Sequence, residues 1–175
     1  MSNQPAEVLY RGKFLALIRQ APWEYAERIN CNGAVVIAAL TPENKFLLVE
    51  QYRIPCGQPV IELPAGISGD SAETAGEPLA EAARRELVEE TGYDPGSLEK
   101  ILTGPTSSGL TSEVVTLFIA RNLRRVGRGG GVHSEEITLH KIPLDQAEQW
   151  LLNQAKHGKL IDHKVFAGLF FLRGR

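Results

Sequence analysis

The sequence predicts an α/β fold, an α/β/α sandwich with a small N-terminal antiparallel strand meander. Three observations lead there. A continuous apolar run, Gly33 to Leu40 (GAVVIAAL), has the character of a strand buried on both faces of a sheet. One strongly charged helix, within Glu77 to Tyr93, interrupts a succession of short strand-like segments, and two amphipathic helices close the chain. Residues 1–30 instead read as three short strands, too small a set to be stable alone. A chain of 175 residues has room for one domain with a sizeable core. We divide it into the meander, 1–30, and a main domain, 31–175.

In the meander, Val8 to Tyr10, Lys13 to Gln20 and Trp23 to Ile29 are expected as strands, joined by turns at Arg11-Gly12 and Ala21-Pro22. Phe14, Ala16 and Ile18 alternate with other residues as one face of a half-buried strand should. That face must pack on the main domain or on another subunit. After Gly33 to Leu40, a turn at Thr41 to Asn44 leads to a second buried strand, Phe46 to Tyr52, and the two form the centre of the sheet. Val60 to Gly66 leads into a loop, Ser68 to Gly76, whose Gly, Ser, Ala and Thr content predicts mobility, with Asp70 and Glu73 as solvated charges. Further strands are expected at Leu98 to Thr103, Val114 to Ala120 and Ile137 to Ile142. Pro143 is expected to open a helix with Leu144, Ala147, Trp150 and Leu151 at helical spacing, and a last helix spans Leu160 to Leu172. Both apolar stripes are read as core.

The charged helix reads EPLAEAARRELVEETGY. With residues about 100° apart, Leu79, Ala83 and Leu87 centre the apolar arc. Glu86 and Glu90 fall inside the same arc, one turn apart. Carboxylates in a core-facing position must be paired or bind a cation, so the arrangement points to a metal site. Arg85 and Glu89 border the arc as an i,i+4 pair. Pro78 suits the first helical position and Gly92 the position just past the end.

Composition removes other classes. A net charge of −2 argues against nucleic-acid binding driven by bulk electrostatics. Cys31 and Cys56 form no metal-type spacing, so a cytoplasmic location is the default. No apolar run is long enough to span a membrane, the N-terminus lacks a signal pattern, and no GxxxxGK[ST] loop is present.

The run Glu77-x7-Arg85-Glu86-Leu87-x-Glu89-Glu90-x-Gly92-Tyr93 resembles the box of the Nudix hydrolases. That box usually opens with a glycine six residues before its first glutamate; here Ser71 stands there, and Gly66 of LPAG lies eleven residues before Glu77. A five-residue insertion within Ile67 to Gly76 accounts for the difference. The resemblance implies Mg²⁺, with Mn²⁺ as a substitute, held by Glu86 and Glu90 with the Ala65 carbonyl and Glu89, and a water activated to attack phosphorus. Arg85 would orient the glutamates, and Glu77 would be structural or lie in the shell just outside the metal ligands.

Gln51-Tyr52-Arg53 resembles the segment of sugar-nucleotide Nudix hydrolases in which the arginine reaches the diphosphate, with Glu62 near the site. Trp23 has two readings: a core or interface aromatic, or, in a context like that of ADP-ribose pyrophosphatases, a stacking surface for a nucleobase. Ser108 stands where ADP-ribose-preferring relatives have proline, which weakens an ADP-ribose-only assignment. The loop after Arg124 would bring Glu135 or Glu136 to the site as an extra carboxylate or general base, and the sequence does not choose between them. His133 beside them is read as incidental. The same relatives exchange N-terminal strands in a homodimer. The reaction implied is Mg²⁺-dependent hydrolysis of nucleoside diphosphate sugars, ADP-ribose among them, to a nucleoside monophosphate and a sugar phosphate. The alternatives are a dedicated ADP-ribose pyrophosphatase, a Nudix hydrolase of other nucleotides such as triphosphates or capped RNA, and a non-catalytic nucleotide sensor. The last is disfavoured because every box glutamate is present.

Overall fold

The structure is a computed structural model that describes residues 5–69, 71–131 and 136–174. It opens with β1 (Glu7–Arg11), β2 (Leu15–Gln20) and β3 (Trp23–Arg28), a separate antiparallel sheet in that order. There follow β4 (Gly33–Leu40), β5 (Lys45–Arg53), β6 (Gln58–Glu62), β7 (Ala65–Ser68), α1 (Leu79–Thr91), β8 (Tyr93–Asp94), β9 (Ser97–Pro105) and β10 (Val114–Arg121). The chain ends with β11 (Arg124–Arg125), β12 (Thr138–Pro143), α2 (Ala147–Lys156), β13 (Leu160–Ile161) and α3 (Lys164–Leu172). The main sheet is mixed, in the order β13-β6-β5-β4-β10-β9, with β12 added to β5 and β7 to β4. β4 and β10 are parallel, from Ala34 beside Val115 to Ala39 beside Ala120.

The unbroken apolar run of β4 now has its reason. Val35, Ile37 and Ala39 face α1 with Leu47, Ala83, Leu87 and Phe118. Val36 and Ala38 face α2 and α3 with Phe46, Leu48, Ile61, Leu117, Leu151 and Leu169. A strand covered by helices on both sides cannot alternate polar with apolar. The architecture is the expected α/β/α sandwich with the N-terminal sheet beside it.

Two boundaries and one buried face differ here from the sequence expectation. Pro143 closes β12 opposite Lys45 instead of opening a helix; Gln146 N–H bonds to the Pro143 carbonyl in a turn, and α2 starts at Ala147. Leu160 and Ile161 do not belong to the last helix. They pair in parallel with Val60 and Ile61 as an edge strand, and Asp162 Oδ1 accepts the Lys164 N–H where α3 begins. Phe14 is not part of the buried face: Ala16 and Ile18 are buried, but Phe14 is 64% exposed, with the Lys13 ammonium over its ring. The N-terminal sheet is joined to the main body where the Ala26 N–H bonds to the Leu110 carbonyl and the Ser112 N–H to the Ala26 carbonyl.

Candidate active site

The site is organised by α1. Pro78 is the N-cap, in extended backbone (φ −62°, ψ 143°), and its carbonyl accepts the N–H groups of Glu81 and Ala82. The helix therefore starts one residue after the expected position. Gly92 ends it in the left-handed conformation (φ 76°), its N–H bonded to the Val88 carbonyl, as a chain reversal after a helix requires. Ala82, Ala83 and Leu87 are buried against the sheet, so the face that carries Glu86 and Glu90 is pinned toward β4 and β7.

Glu86 and Glu90 line one cleft of about 310 Å³ together with Ala65, Gly66, Arg53 and Glu62. Glu90 is only 4% exposed, and its Oε2 accepts the Ala65 N–H at 3.1 Å. Glu86 lies directly on Gly66: a Cβ there would stand 1.9 Å from Glu86 Cδ. This contact gives a reason for glycine at position 66, since its backbone is not in the left-handed region. Glu89 does not line the cleft.

Arg85 holds the carboxylates from behind. Nε and Nη2 bond the two oxygens of Glu77, each at 3.1 Å, a bidentate pair. Nη1 reaches Glu86 Oε1 at 2.8 Å and Glu89 Oε2 at 3.3 Å, and Nη2 also donates to the Ile67 carbonyl. Hydrogen bonding to Glu77, opposed by partial burial and reinforced by the charge of Glu86, holds the guanidinium pKa above its ordinary value.

Three ion pairs ring the same cleft: Arg53–Glu62 and Arg28–Glu113, both at 2.7 Å, and Lys164–Asp162 at 2.6 Å. Arg28 and Glu113 carry no signal in the sequence because they meet across 85 positions, and Asp162 and Lys164, though neighbours, reach the cleft only once Leu160 and Ile161 pair with β6. Only the side-chain proximity created by the fold reveals them. Among the described residues no three Asp, Glu, His or Cys side chains group closely enough to hold an ion by themselves.

The remaining expected residues lie elsewhere in the chain. Trp23 and Ser108 come together in a depression of about 590 Å³ with Pro22, Tyr25 and Thr111, and it shares no lining residue with the carboxylate cleft. Glu136 is exposed and lines a separate hollow with Arg128, Gly129 and Gly130. Glu135 and His133 fall outside the described residues, as does Asp70. The loop before Glu136 is anchored to α1: the Gly130 and Gly131 N–H groups bond the carbonyls of Glu90 and Glu89. Beside the cleft, and sharing Arg53, Glu62, Asp162 and Lys164 with it, lies a larger, mostly apolar depression of about 630 Å³ lined also by Cys56, Leu102 and Leu160.

The chain is similar to known proteins over most of its length. The methanol dehydrogenase activator of Bacillus methanolicus is 34% identical over 81% of this chain and 72% of its own. The ADP-ribose pyrophosphatase of Mycobacterium tuberculosis is 33% identical over 78% and 63%, and the GDP-mannose pyrophosphatase of Cronobacter sakazakii 33% over 79% and 75%. A crystal structure of an ADP compounds hydrolase superposes with a TM-score of 0.73, covering 97% of this chain and 90% of that one; at 19% identity it speaks for the fold alone. The family model of the NUDIX domain matches residues 32–163, which contain the whole of α1 and its box, and the chain belongs to the Nudix family.

Proposed function

We propose that this Nudix enzyme hydrolyses the diphosphate linkage of nucleoside diphosphate sugars with Mg²⁺, releasing a nucleoside monophosphate and a sugar phosphate. The chain is a Nudix diphosphatase by its family and its relatives; the proposal concerns substrate, metal and residue roles. The observation that carries it is the pair of inward carboxylates, Glu86 and Glu90, in a cleft that opens into the larger apolar depression. A site for charge beside room for an organic moiety suits a molecule with a diphosphate at its centre.

A divalent cation fits the residues present. Glu86 and Glu90 with a backbone carbonyl at Ala65 are hard oxygen donors, and the absence of a side chain at Gly66 keeps Glu86 in place. Glu89 would join as an outer carboxylate. When bound, the cation supplies charge neutralisation at the phosphoryl oxygens and acidity to a water. The protein's own part is orientation. Arg85, itself held by Glu77, bonds Glu86 directly, and Glu62 holds the Arg53 guanidinium at the cleft, where it is proposed to meet the diphosphate. Glu136, or Glu135, is proposed to take the proton of the attacking water; the loop that leads to it is tied to the carbonyls of Glu89 and Glu90.

A homodimer is proposed from the N-terminal sheet, which leaves Val8, Tyr10, Phe14, Leu15, Leu17 and Trp23 exposed. Residues 1–30 would then be the dimerisation unit and 31–175 the catalytic domain. Because the Trp23 depression is separate from the cleft of its own chain, stacking on a base by Trp23, with Ser108 beside it, is proposed to serve the second copy. No helix is long and apolar enough to cross a membrane, and we place the protein in the cytoplasm on its two free thiols, Cys31 and Cys56.

The test is a panel of ADP-ribose, ADP-glucose, GDP-mannose, dinucleotides and triphosphates with Mg²⁺. Measurable turnover of several sugar nucleotides is expected. A preference for ADP-ribose beyond about a thousandfold in kcat/KM, about 4 kcal/mol, makes the enzyme a dedicated ADP-ribose pyrophosphatase. Turnover confined to triphosphates refutes the proposal.

A further inference from the structure

Away from the carboxylate cleft, β5, β8, β11 and β12 enclose a pocket of about 360 Å³ lined by Lys45, Lys141, Arg125, Tyr93 and Thr41. Lys141 pairs with Leu47 across the β12–β5 ladder, so it shares a face with Lys45, two residues along. Arg125 is opposite Tyr93 in the β8–β11 ribbon. The Lys141 ammonium and the Arg125 guanidinium stand 5.3 and 5.5 Å from the centroid of the Tyr93 ring, which is only 9% exposed. Among the described residues none of the three cations is in an ion pair. Among the described residues the one carboxylate on the wall is Glu43, exposed on the β4–β5 turn, its pKa lowered chiefly by a hydrogen bond from Thr41 and further by the charge of Lys45 and Lys141. Three like charges gathered on one concave surface repel one another, and this repulsion is relieved by an anion.

We infer that this pocket is a second, non-catalytic binding site for a small phosphoryl anion, free phosphate or the phosphate end of a monoester. Lys45, Lys141 and Arg125 supply the charge, and the Tyr93 and Thr41 hydroxyls are the polar groups beside them. A phosphoryl dianion exceeds the single charge of Glu43 and carries oxygens enough to meet all three cations. The pocket is larger than a bare phosphate, which leaves space for the organic part of a monoester. Burial raises the Tyr93 phenol pKa, but hydrogen bonding to Lys141 and Arg125 and their charge outweigh it and hold it below the ordinary value, a sign of the positive potential there. The site adjoins the catalytic helix, since Tyr93 follows Gly92 and the Gly92 carbonyl accepts the Val126 and Gly127 N–H groups.

The experiment uses metal-free protein labelled with ¹³Cζ-tyrosine, titrated with inorganic phosphate and separately with AMP, chloride holding ionic strength constant. Tyr93→Phe identifies the resonance. A saturable shift of Tyr93 is expected with at least one anion, retained in Glu90→Gln and weakened at least tenfold in Kd in Lys141→Gln and in Arg125→Gln. Both changes are at exposed side chains, and circular dichroism confirms their folding. Equal affinity for the two anions assigns the phosphoryl group alone, and tighter AMP assigns the monoester. No response beyond that of chloride, or affinity unchanged in both cation variants, overturns the inference.

Discussion

Replacing Gly66 with alanine separates the position of a catalytic carboxylate from the stability of the fold. The added Cβ would stand 1.9 Å from Glu86 Cδ, 2.1 Å from its Oε1 and 2.4 Å from its Cγ. Ordinary contact begins at 3.4 Å, so the carboxylate must retreat by about 1.5 Å from where Arg85 Nη1 holds it. The obstacle is the end of a flexible side chain, and Glu86 is part-exposed, so overpacking should cost about 1 kcal/mol, or about 2–4 °C in Tm. A catalytic group displaced by more than about 1 Å loses about a hundredfold in rate, about 2.7 kcal/mol. The assay is steady-state hydrolysis of a sugar nucleotide with Mg²⁺, alongside thermal melts by circular dichroism. Gly127→Ala is the control, since its Cβ would meet only Gly92 Cα, at 3.9 Å. Gly66→Ala with kcat within threefold of the parent would refute the placement of Glu86 in the reaction. A melting loss above about 10 °C would refute the claim that the cost falls on the site.

Glu90→Gln keeps shape and removes charge; kcat should fall by about a thousandfold, about 4 kcal/mol, in a protein that still melts cooperatively, and near-normal turnover removes the metal role from this residue. Trp23→Ala should raise KM about tenfold or more at similar kcat if the indole stacks on a base, whereas an unchanged KM leaves it an interface residue. Burial pushes the Glu50 carboxyl up, yet hydrogen bonds from Lys159 and His140 outweigh it and hold its pKa below the usual carboxylate range. A folded pKa below the unfolded one contributes stability above the unfolded value that is lost as pH falls through the folded value. The Tm gap between the parent and Glu50→Gln should therefore narrow below about pH 5, as the carboxylate begins to take up a proton; a constant gap contradicts it.

Much of this site was legible because local chemistry wrote it. The helix, to within one residue at Pro78, its Gly92 end, the inward pair Glu86 and Glu90, and the doubly covered strand Gly33–Leu40 follow from spacing and the end residues. Ser68, read in the sequence as the start of a mobile loop, is instead the buried end of β7, paired with Gly33 and donating its hydroxyl to the Glu77 carbonyl, a long-range pairing that a polar residue in a Gly- and Ser-rich stretch does not announce. Leu160 and Ile161 suit a helix stripe or an edge strand equally, and only β6 decides. The ring of Arg28–Glu113 and Lys164–Asp162 depends on where β3 and the start of α3 meet the cleft, which no local pattern encodes. Trp23 and Ser108 do meet, in a depression apart from the carboxylate cleft, since the β3 edge that carries Trp23 packs against the Leu110–Ser112 segment.

The most direct measurement is product identification by ³¹P NMR after incubating the protein with GDP-mannose or ADP-ribose and Mg²⁺. The account predicts a nucleoside monophosphate and a sugar phosphate in equal amounts, abolished by chelation of the metal and by Glu90→Gln. No phosphorus turnover on either compound, or release of a nucleoside diphosphate with free sugar, would contradict it.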